Sequence, residues 1–352
     1  MNRPEYKRIL LTRTDRLGDV LLTTPAIKAV RDAYPNAYIA MVVRPYTELA
    51  LKGNPHLNEV IVYDKYGAYR STAGSLKFAK SLRDNRFDLV IIFHPTNRMH
   101  ILSFLAGIPK RVGYDERFSF LLTDRIKNLK HEGKKHESEY NFDLLDVLGV
   151  ESSENKLYLT VDGEAQKSVN LLLSKYGVKD NDKIISLHPG ASCLSKMWPA
   201  DKFAQLADKL IDKYNVKIVV TGASEKKDMD SCESVKKLMQ KEALYFVGNL
   251  NIIELGALLQ RSALFISNDS GPVHIAVAVN TPVISLFGRN QAGLGPKRWG
   301  PLGPKDISLH KDVGCAGLCL AHDCIRKFEC LEAISVDEVL DAAEKLSNIG
   351  KQ

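Results

Sequence analysis

The chain has 352 residues, enough for two hydrophobic cores, since domains usually run about 100–200 residues. Its 45% hydrophobic and 26% charged residues are ordinary for a globular protein, and no apolar run reaches the roughly 18 residues that a membrane span needs, which argues against an embedded role. The formal net charge of +7 is lopsided: residues 1–150 carry 24 Lys and Arg against 17 Asp and Glu, while residues 151–352 carry 25 of each, so an acidic partner is expected to dock on the first half.

In chain order, short β-branched runs alternate with helical patterns, the signature of parallel sheets with crossover helices. The apolar run at 9–11 is too short for the core of a signal peptide, so a cytoplasmic protein is expected. The first half predicts strands at 8–12, 38–43, 59–63 and 88–93, with helices at 20–34 and 75–85. Residues 127–139, rich in Lys and His, read as a mobile loop too charged for a core, followed by a helix at 139–148. The second half predicts strands at 183–188, 216–221, 244–247, 264–267 and 282–286, and helices at 199–214, 226–240, 253–260 and 271–279. A last amphipathic helix at 335–346 starts from Ser335, a suitable N-cap. The fold class is α/β: two doubly wound, Rossmann-like domains, 1–165 and 166–334, with a C-terminal segment, 335–352, packing back on the first. Ligands of such sheets bind beyond the carboxyl ends of the strands, so a central cleft faced by both domains is the expected site.

Four strand-to-helix junctions hold the polar chemistry. After the first strand, Thr14-Asp15-Arg16-Leu17-Gly18-Asp19 turns into a helix, and Asp19 fits two roles: a carboxylate that takes a proton from an attacking hydroxyl, or a helix cap. His188-Pro189-Gly190-Ala191-Ser192 leads to Lys196, which suits a phosphate as a point charge and equally suits a solvated loop. Glu225, after Thr221-Gly222, stands where such folds place an acid on ribose hydroxyls, and also where a helix dipole favours one. Asn268-Asp269-Ser270-Gly271 opens a helix whose free N–H groups favour a diphosphate. His274, one turn further, reads as a packed side chain on spacing alone. Neither G-x-G-x-x-G nor G-x-x-x-x-G-K-[ST] is present, which removes the main support for dehydrogenase and P-loop readings. Cys315, Cys319, Cys324 and Cys330 fall within sixteen residues without a C-x2-C knuckle, so reduced thiols are expected and no metal site.

Taken together, Asp15-Arg16-Leu17-Gly18-Asp19-Val20, His188-Pro189-Gly190-Ala191, Lys196-x-Trp198-Pro199, Gly222-x-x-Glu225, Asn268-Asp269-Ser270-Gly271-Pro272-x-His274 and Leu286-Phe287-Gly288 resemble the lipopolysaccharide heptosyltransferase family, in family order and over nearly the whole chain. The resemblance implies the two-domain GT-B arrangement and an inverting, metal-independent transfer of heptose from ADP-heptose to the lipopolysaccharide inner core. It implies Asp19 as general base and Ser192, Lys196, Glu225, Asp269, Ser270, Gly271 and His274 around the donor, with no cofactor beyond that nucleotide-diphosphate sugar. The implied partners are the nucleotide sugar, an anionic core acceptor and the inner-membrane surface, but not nucleic acid. Arg44, Arg98 and Arg111 are the acceptor candidates, chosen with His94 from strand ends and charge. A nucleotide-sugar epimerase of the same plan, or a related transferase using another sugar, is the alternative.

Overall fold

The computed structural model describes residues 4–151, 154–289, 291–304, 306–315 and 319–346. The chain divides into two compact units, residues 1–131 with 135–160, and residues 132–134 with 161–352. The changeover at 160/161 lies a few residues before the boundary expected at 165/166.

The first unit runs β1 (Arg8–Thr12), α1 (Leu17–Leu21), α2 (Thr24–Ala33), β2 (Tyr38–Val43), β3 (Glu59–Val62), α3 (Thr72–Asp84), β4 (Leu89–Ile92), α4 (Asn97–Leu105), β5 (Lys110–Asp115), β6 (Asp124–Lys127) and α5 (Glu137–Asp146). Its six strands pair in parallel in the order β3-β2-β1-β4-β5-β6. Ile9, Leu10, Leu11, Leu89, Val90 and Ile91 are wholly buried, as expected for central strands covered on both faces.

The second unit runs α6 (Gly163–Lys175), β7 (Ile184–His188), α7 (Ala200–Tyr214), β8 (Lys217–Gly222), α8 (Lys226–Leu238), β9 (Leu244–Val247), α9 (Ile252–Arg261), β10 (Leu264–Asn268), α10 (Gly271–Ala278), β11 (Val283–Phe287), α11 (Pro296–Trp299), β12 (Ile307–His310), α12 (Glu329–Glu332) and α13 (Val336–Leu346). Its strands pair in parallel as β12-β11-β10-β7-β8-β9, which is the same winding repeated. Each sheet therefore has one place where neighbouring strands send their connections in opposite directions: β1 beside β4, and β7 beside β10. Doubly wound sheets bind ligands at that switch point.

Three expectations are corrected. The helix expected at 20–34 is two helices, because Pro25 has no N–H to give to the Leu21 carbonyl. Thr24 Oγ1 takes that carbonyl instead, at 2.6 Å, and Thr23 Oγ1 takes the Asp19 carbonyl at 2.8 Å. Residues 127–139 are not a mobile loop outside the core. They include β6's last residue and a 3₁₀ turn at Lys130–Glu132, and Lys130, His136 and Glu137 are buried. The C-terminal helix α13 does not join the first unit's core. Val336, Val339 and Ala343 pack into the second unit's core beside Trp198, whose indole N–H donates to the Ile334 carbonyl at 3.0 Å. Ser335 caps it in a reciprocal box with Glu338. Among the described residues no helix is long and apolar enough to cross a membrane.

Candidate functional site

At the first switch point the chain leaves β1 through Arg13, Thr14, Asp15 and Arg16 and enters α1. Asp19 lies in the first turn of α1 and is 9% exposed, and Arg16, at the N-cap, gives no side-chain cap. The capping role open to Asp19 is not taken up. Its Oδ1 accepts a 2.6 Å bond from Arg13 Nη2 instead.

Arg13 is itself 2% exposed and serves four partners. Nε donates to Asp15 Oδ1 at 2.9 Å, Nη1 to Asn141 Oδ1 at 3.0 Å, and Nη2 to both Asp19 and Glu137 Oε1, the latter at 2.9 Å. Glu137 is fully buried at the start of α5, where its Oε1 also takes 2.7 Å from Lys130 Nζ. Asn141, one turn along α5, returns its amide to the Leu22 carbonyl at 3.0 Å, so α5 fixes α1. Burial and the neighbouring Asp15 carboxylate push the Asp19 carboxyl up to about 6, with Arg13 pulling the other way. His94, which follows β4, has Nδ1 4.0 Å from Asp15 Oδ2. Burial, then the Arg13 charge, lowers its pKa to about 4, so the ring is neutral at pH 7.

The acceptor candidates fall in different places. Arg44 directly follows β2, with its guanidinium over the rings of Tyr46 and Tyr66 at 4.7 and 5.0 Å. Arg98 donates to the Tyr69 and Arg70 carbonyls and, at 2.6 Å, to Ser75 Oγ, so it fastens the turn after β3. Arg111 sits near the amino end of β5, with Nε on the Leu121 carbonyl at 2.7 Å and Nη1 on the Ile108 and Pro109 carbonyls. It is neither at the carboxyl end of the sheet nor short of partners.

At the second switch point Asn268, the last residue of β10, is tied to both ends of the connection between β7 and α7. Its Oδ1 accepts from the Trp198 N–H at 2.9 Å and its Nδ2 donates to the Pro189 carbonyl at 2.7 Å. Asp269 is anchored by its N–H on the Leu286 carbonyl, and its Oδ2 meets Lys196 Nζ at 2.8 Å and Arg289 Nη2 at 3.2 Å. Arg289 Nε is buried and has no acceptor among the described residues. Ser270 stands at the N-cap of α10 without capping it, since its Oγ pairs with Ser267 Oγ at 3.0 Å. The N–H groups of Ser270 and Gly271 likewise have no protein acceptor among the described residues. His274 is 4% exposed within α10.

Glu225 occupies the N-cap of α8, exposed and making no cap bond, and Ser192 is exposed in the loop after β7. Gly190 is held to glycine by packing, because a Cβ there would collide with the Asp228 carboxylate. That carboxylate also lies 3.6 Å from His188 Nε2, whose pKa burial lowers. Cys315, Cys319, Cys324 and Cys330 carry free thiols and line one cavity of about 180 Å³ together with Gly288 and Arg289. Among the described residues no three His, Cys, Asp or Glu side chains are grouped as metal ligands.

Sequence reasoning missed Arg13, Glu137, Asn141 and Arg289. A charged residue two positions beyond the apolar run at 9–11, an i, i+4 pair of polar residues in a helix, and a cation right after Leu286-Phe287-Gly288 were the available signals.

Comparison with known proteins bears on the family and the fold. The family described as glycosyltransferase family 9 (heptosyltransferase) matches residues 75–326. Lipopolysaccharide heptosyltransferase 3 of Escherichia coli (strain K12) is 29% identical over 336 residues, covering 94% of this chain and 95% of that one. A glycosyl transferase family 9 protein from Veillonella parvula DSM 2008 superposes with a TM-score of 0.87 at 26% identity, covering 100% of this chain and 99% of its own. The E. coli ADP-heptose lipopolysaccharide heptosyltransferase II shares the fold, with a TM-score of 0.78 at 21% identity and coverage of 97% and 98%.

Proposed function

The chain belongs to glycosyltransferase family 9 (heptosyltransferase), and we propose that it transfers heptose from ADP-heptose to the lipopolysaccharide inner core by inverting displacement with Asp19 as the base. Family membership favours transfer over the epimerase alternative. One observation carries the residue assignment: the Asp19 carboxylate, in the first turn of α1, is bound to a buried arginine and has a pKa raised to about 6. A base tuned towards neutrality remains ionised at pH 7 and is a stronger proton acceptor than an ordinary aspartate. It takes the acceptor hydroxyl proton as that oxygen attacks the anomeric carbon, and Arg13 keeps the carboxylate in one orientation.

Departure of the diphosphate is the second requirement. The Ser270 and Gly271 N–H groups at the start of α10, Lys196 and Arg289 offer donors and positive charge for it. Asp269 holds the two cationic side chains in place, as their shared partner. Glu225, exposed and free of a capping duty, suits the ribose hydroxyls, and Ser192 and His274 complete the assigned donor contacts. The acceptor is a membrane glycolipid on this reading, so the protein works as a peripheral enzyme at the inner surface of the membrane.

Asp19→Asn tests the assignment. General base catalysis contributes about 10²–10⁴-fold, so turnover should fall by that factor while calorimetric affinity for ADP-heptose holds. Wild-type turnover in Asp19→Asn would remove Asp19 from the mechanism.

A further inference from the structure

The first two turns of α8 grip the loops that carry Ser192 and Glu225, both exposed. Lys227 Nζ donates to the Ser192 carbonyl at 3.4 Å and Ser231 Oγ to the Pro189 carbonyl at 2.9 Å. Cys232 Sγ donates to the Thr221 carbonyl at 3.5 Å. The Ser192 loop follows β7 and the Glu225 turn follows β8, its neighbour, so one helix end is bonded to the carboxyl ends of two adjacent strands.

Asp228, the third residue of α8, touches both loops. Its Oδ2 accepts the Ala223 N–H at 3.2 Å. Its carboxylate lies against Gly190 so closely that a Cβ there would stand 2.4 Å from Oδ1. An acid at this helix position ordinarily turns back to the N–H of the N-cap residue. Asp228 reaches past that residue, Glu225, to Ala223, while its own N–H donates to the Glu225 carbonyl at 3.0 Å. The turn that presents Glu225 is therefore closed at both ends by one residue.

What Asp228 supplies is an acceptor and a shape. His188 Nε2 lies 3.6 Å from its Oδ2, but burial lowers the pKa of that ring, so it is neutral at pH 7. The Thr221 hydroxyl gives its proton to the Leu187 carbonyl at 3.1 Å, so His188 Nδ1 donates to Thr221 Oγ1, also at 3.1 Å. Nε2 is then bare, and a bare nitrogen makes no hydrogen bond to a carboxylate.

Resting on the donor reading above, we propose that Asp228 is a positioning residue for ADP-heptose, setting the Glu225 turn against the Gly190 loop so that Glu225 and Ser192 meet one nucleotide. It acts through Glu225 and does not touch the donor. Loops ordered in advance lose less entropy when the ligand binds.

The test is calorimetry with ADP and 2′,3′-dideoxy-ADP on the full-length protein, beside kinetics with ADP-heptose. Wild type should bind ADP about 10–100-fold tighter than the dideoxy form, because a carboxylate then has hydroxyls to hold. Asp228→Ala should shrink that preference to about threefold or less and raise the ADP-heptose KM about tenfold, with kcat unchanged. Asp228→Asn keeps the shape and an oxygen for the Ala223 N–H, so it should retain the wild-type preference. A variant that is merely less stable would weaken both nucleotides alike and leave their ratio intact. Gly190→Ala approaches the same contact from the other side: its Cβ displaces the carboxylate, and the preference should fall as in Asp228→Ala. Preference kept in Asp228→Ala or Gly190→Ala, or lost in Asp228→Asn, would overturn the positioning role alone. Wild-type protein that binds both nucleotides equally would overturn the Glu225 assignment on which it rests.

Discussion

The two switch points share a strand order and differ in the sign of their electrostatics. In the first unit one buried arginine, helped by Lys130, stands among three carboxylates, and one of them, Asp19, is pushed towards protonation. In the second unit one buried carboxylate stands between two cations, beside a helix start whose first N–H groups have no protein acceptor among the described residues. The first arrangement is suited to receiving a proton and the second to receiving an anion. Winding order thus determines where polar loops gather, and the residues directly after each strand determine what those loops do.

The largest expected effect tests whether the first cluster is part of the fold as well as the chemistry. Arg13→Leu leaves Glu137, which is wholly buried, facing Asp15 and Asp19 with Lys130 as its remaining charged partner. Losing one member of such a buried set costs about 3–5 kcal/mol, read as a shift of the urea midpoint at unchanged slope. Turnover should fall as well, because Asp19 loses its 2.6 Å partner. A stability loss within about 1 kcal/mol would mean that water replaces the guanidinium easily and that the cluster is no buried network.

The second unit should respond in affinity. Lys196→Ala and Arg289→Ala each remove one cation from Asp269, and each should weaken ADP-heptose binding by about 10–100-fold. Arg289→Ala is the sharper test, because this residue was not anticipated and its buried Nε has no acceptor among the described residues. Donor affinity equal to wild type in both variants would break the comparison, because the second site would then not be an anion receiver.

How far the sequence reached follows the same division. Continuous apolar runs gave β1, β2, β4 and β7 to β11, because a strand buried on both faces needs such a run. β5, β6 and β12 carry Lys110, Arg111, Asp124, Arg125, Lys127 and His310, and β6 and β12 lie at sheet edges, where the apolar signal fades. α4 escaped notice because polar His100 and Ser103 lie on its buried face while Phe104 is exposed, so its apolar residues do not gather on one face. Asp19, Lys196 and the Asp269 turn stood out as polar residues at strand ends. Arg13 did not, because nothing local says that an arginine turns inwards; its reason is Glu137, more than a hundred residues on. Pairings of that range belong to the fold and not to any window of sequence.

The smallest expected effect is the most specific, because it separates the charges around Asp19 from one another. A base acts only when ionised, so kcat/KM should rise with pH through about 6 and level off above it, where an ordinary aspartate would already be level by about 5. The folding linkage has the matching sign. A carboxyl whose pKa is raised in the folded state favours folding when protonated, at low pH, and that contribution is lost as pH rises through 6. Asp15→Asn keeps an oxygen for Arg13 Nε and removes only a negative charge, one of the causes that raise Asp19. The rising limb should therefore move to lower pH with little change in the plateau rate. A limb that stays in place would leave burial as the dominant cause and Asp15 as a hydrogen-bond partner of Arg13. A limb that moves to higher pH would contradict the electrostatic account, because removing a negative charge cannot make the neighbouring carboxylate harder to ionise unless Arg13 has also turned away.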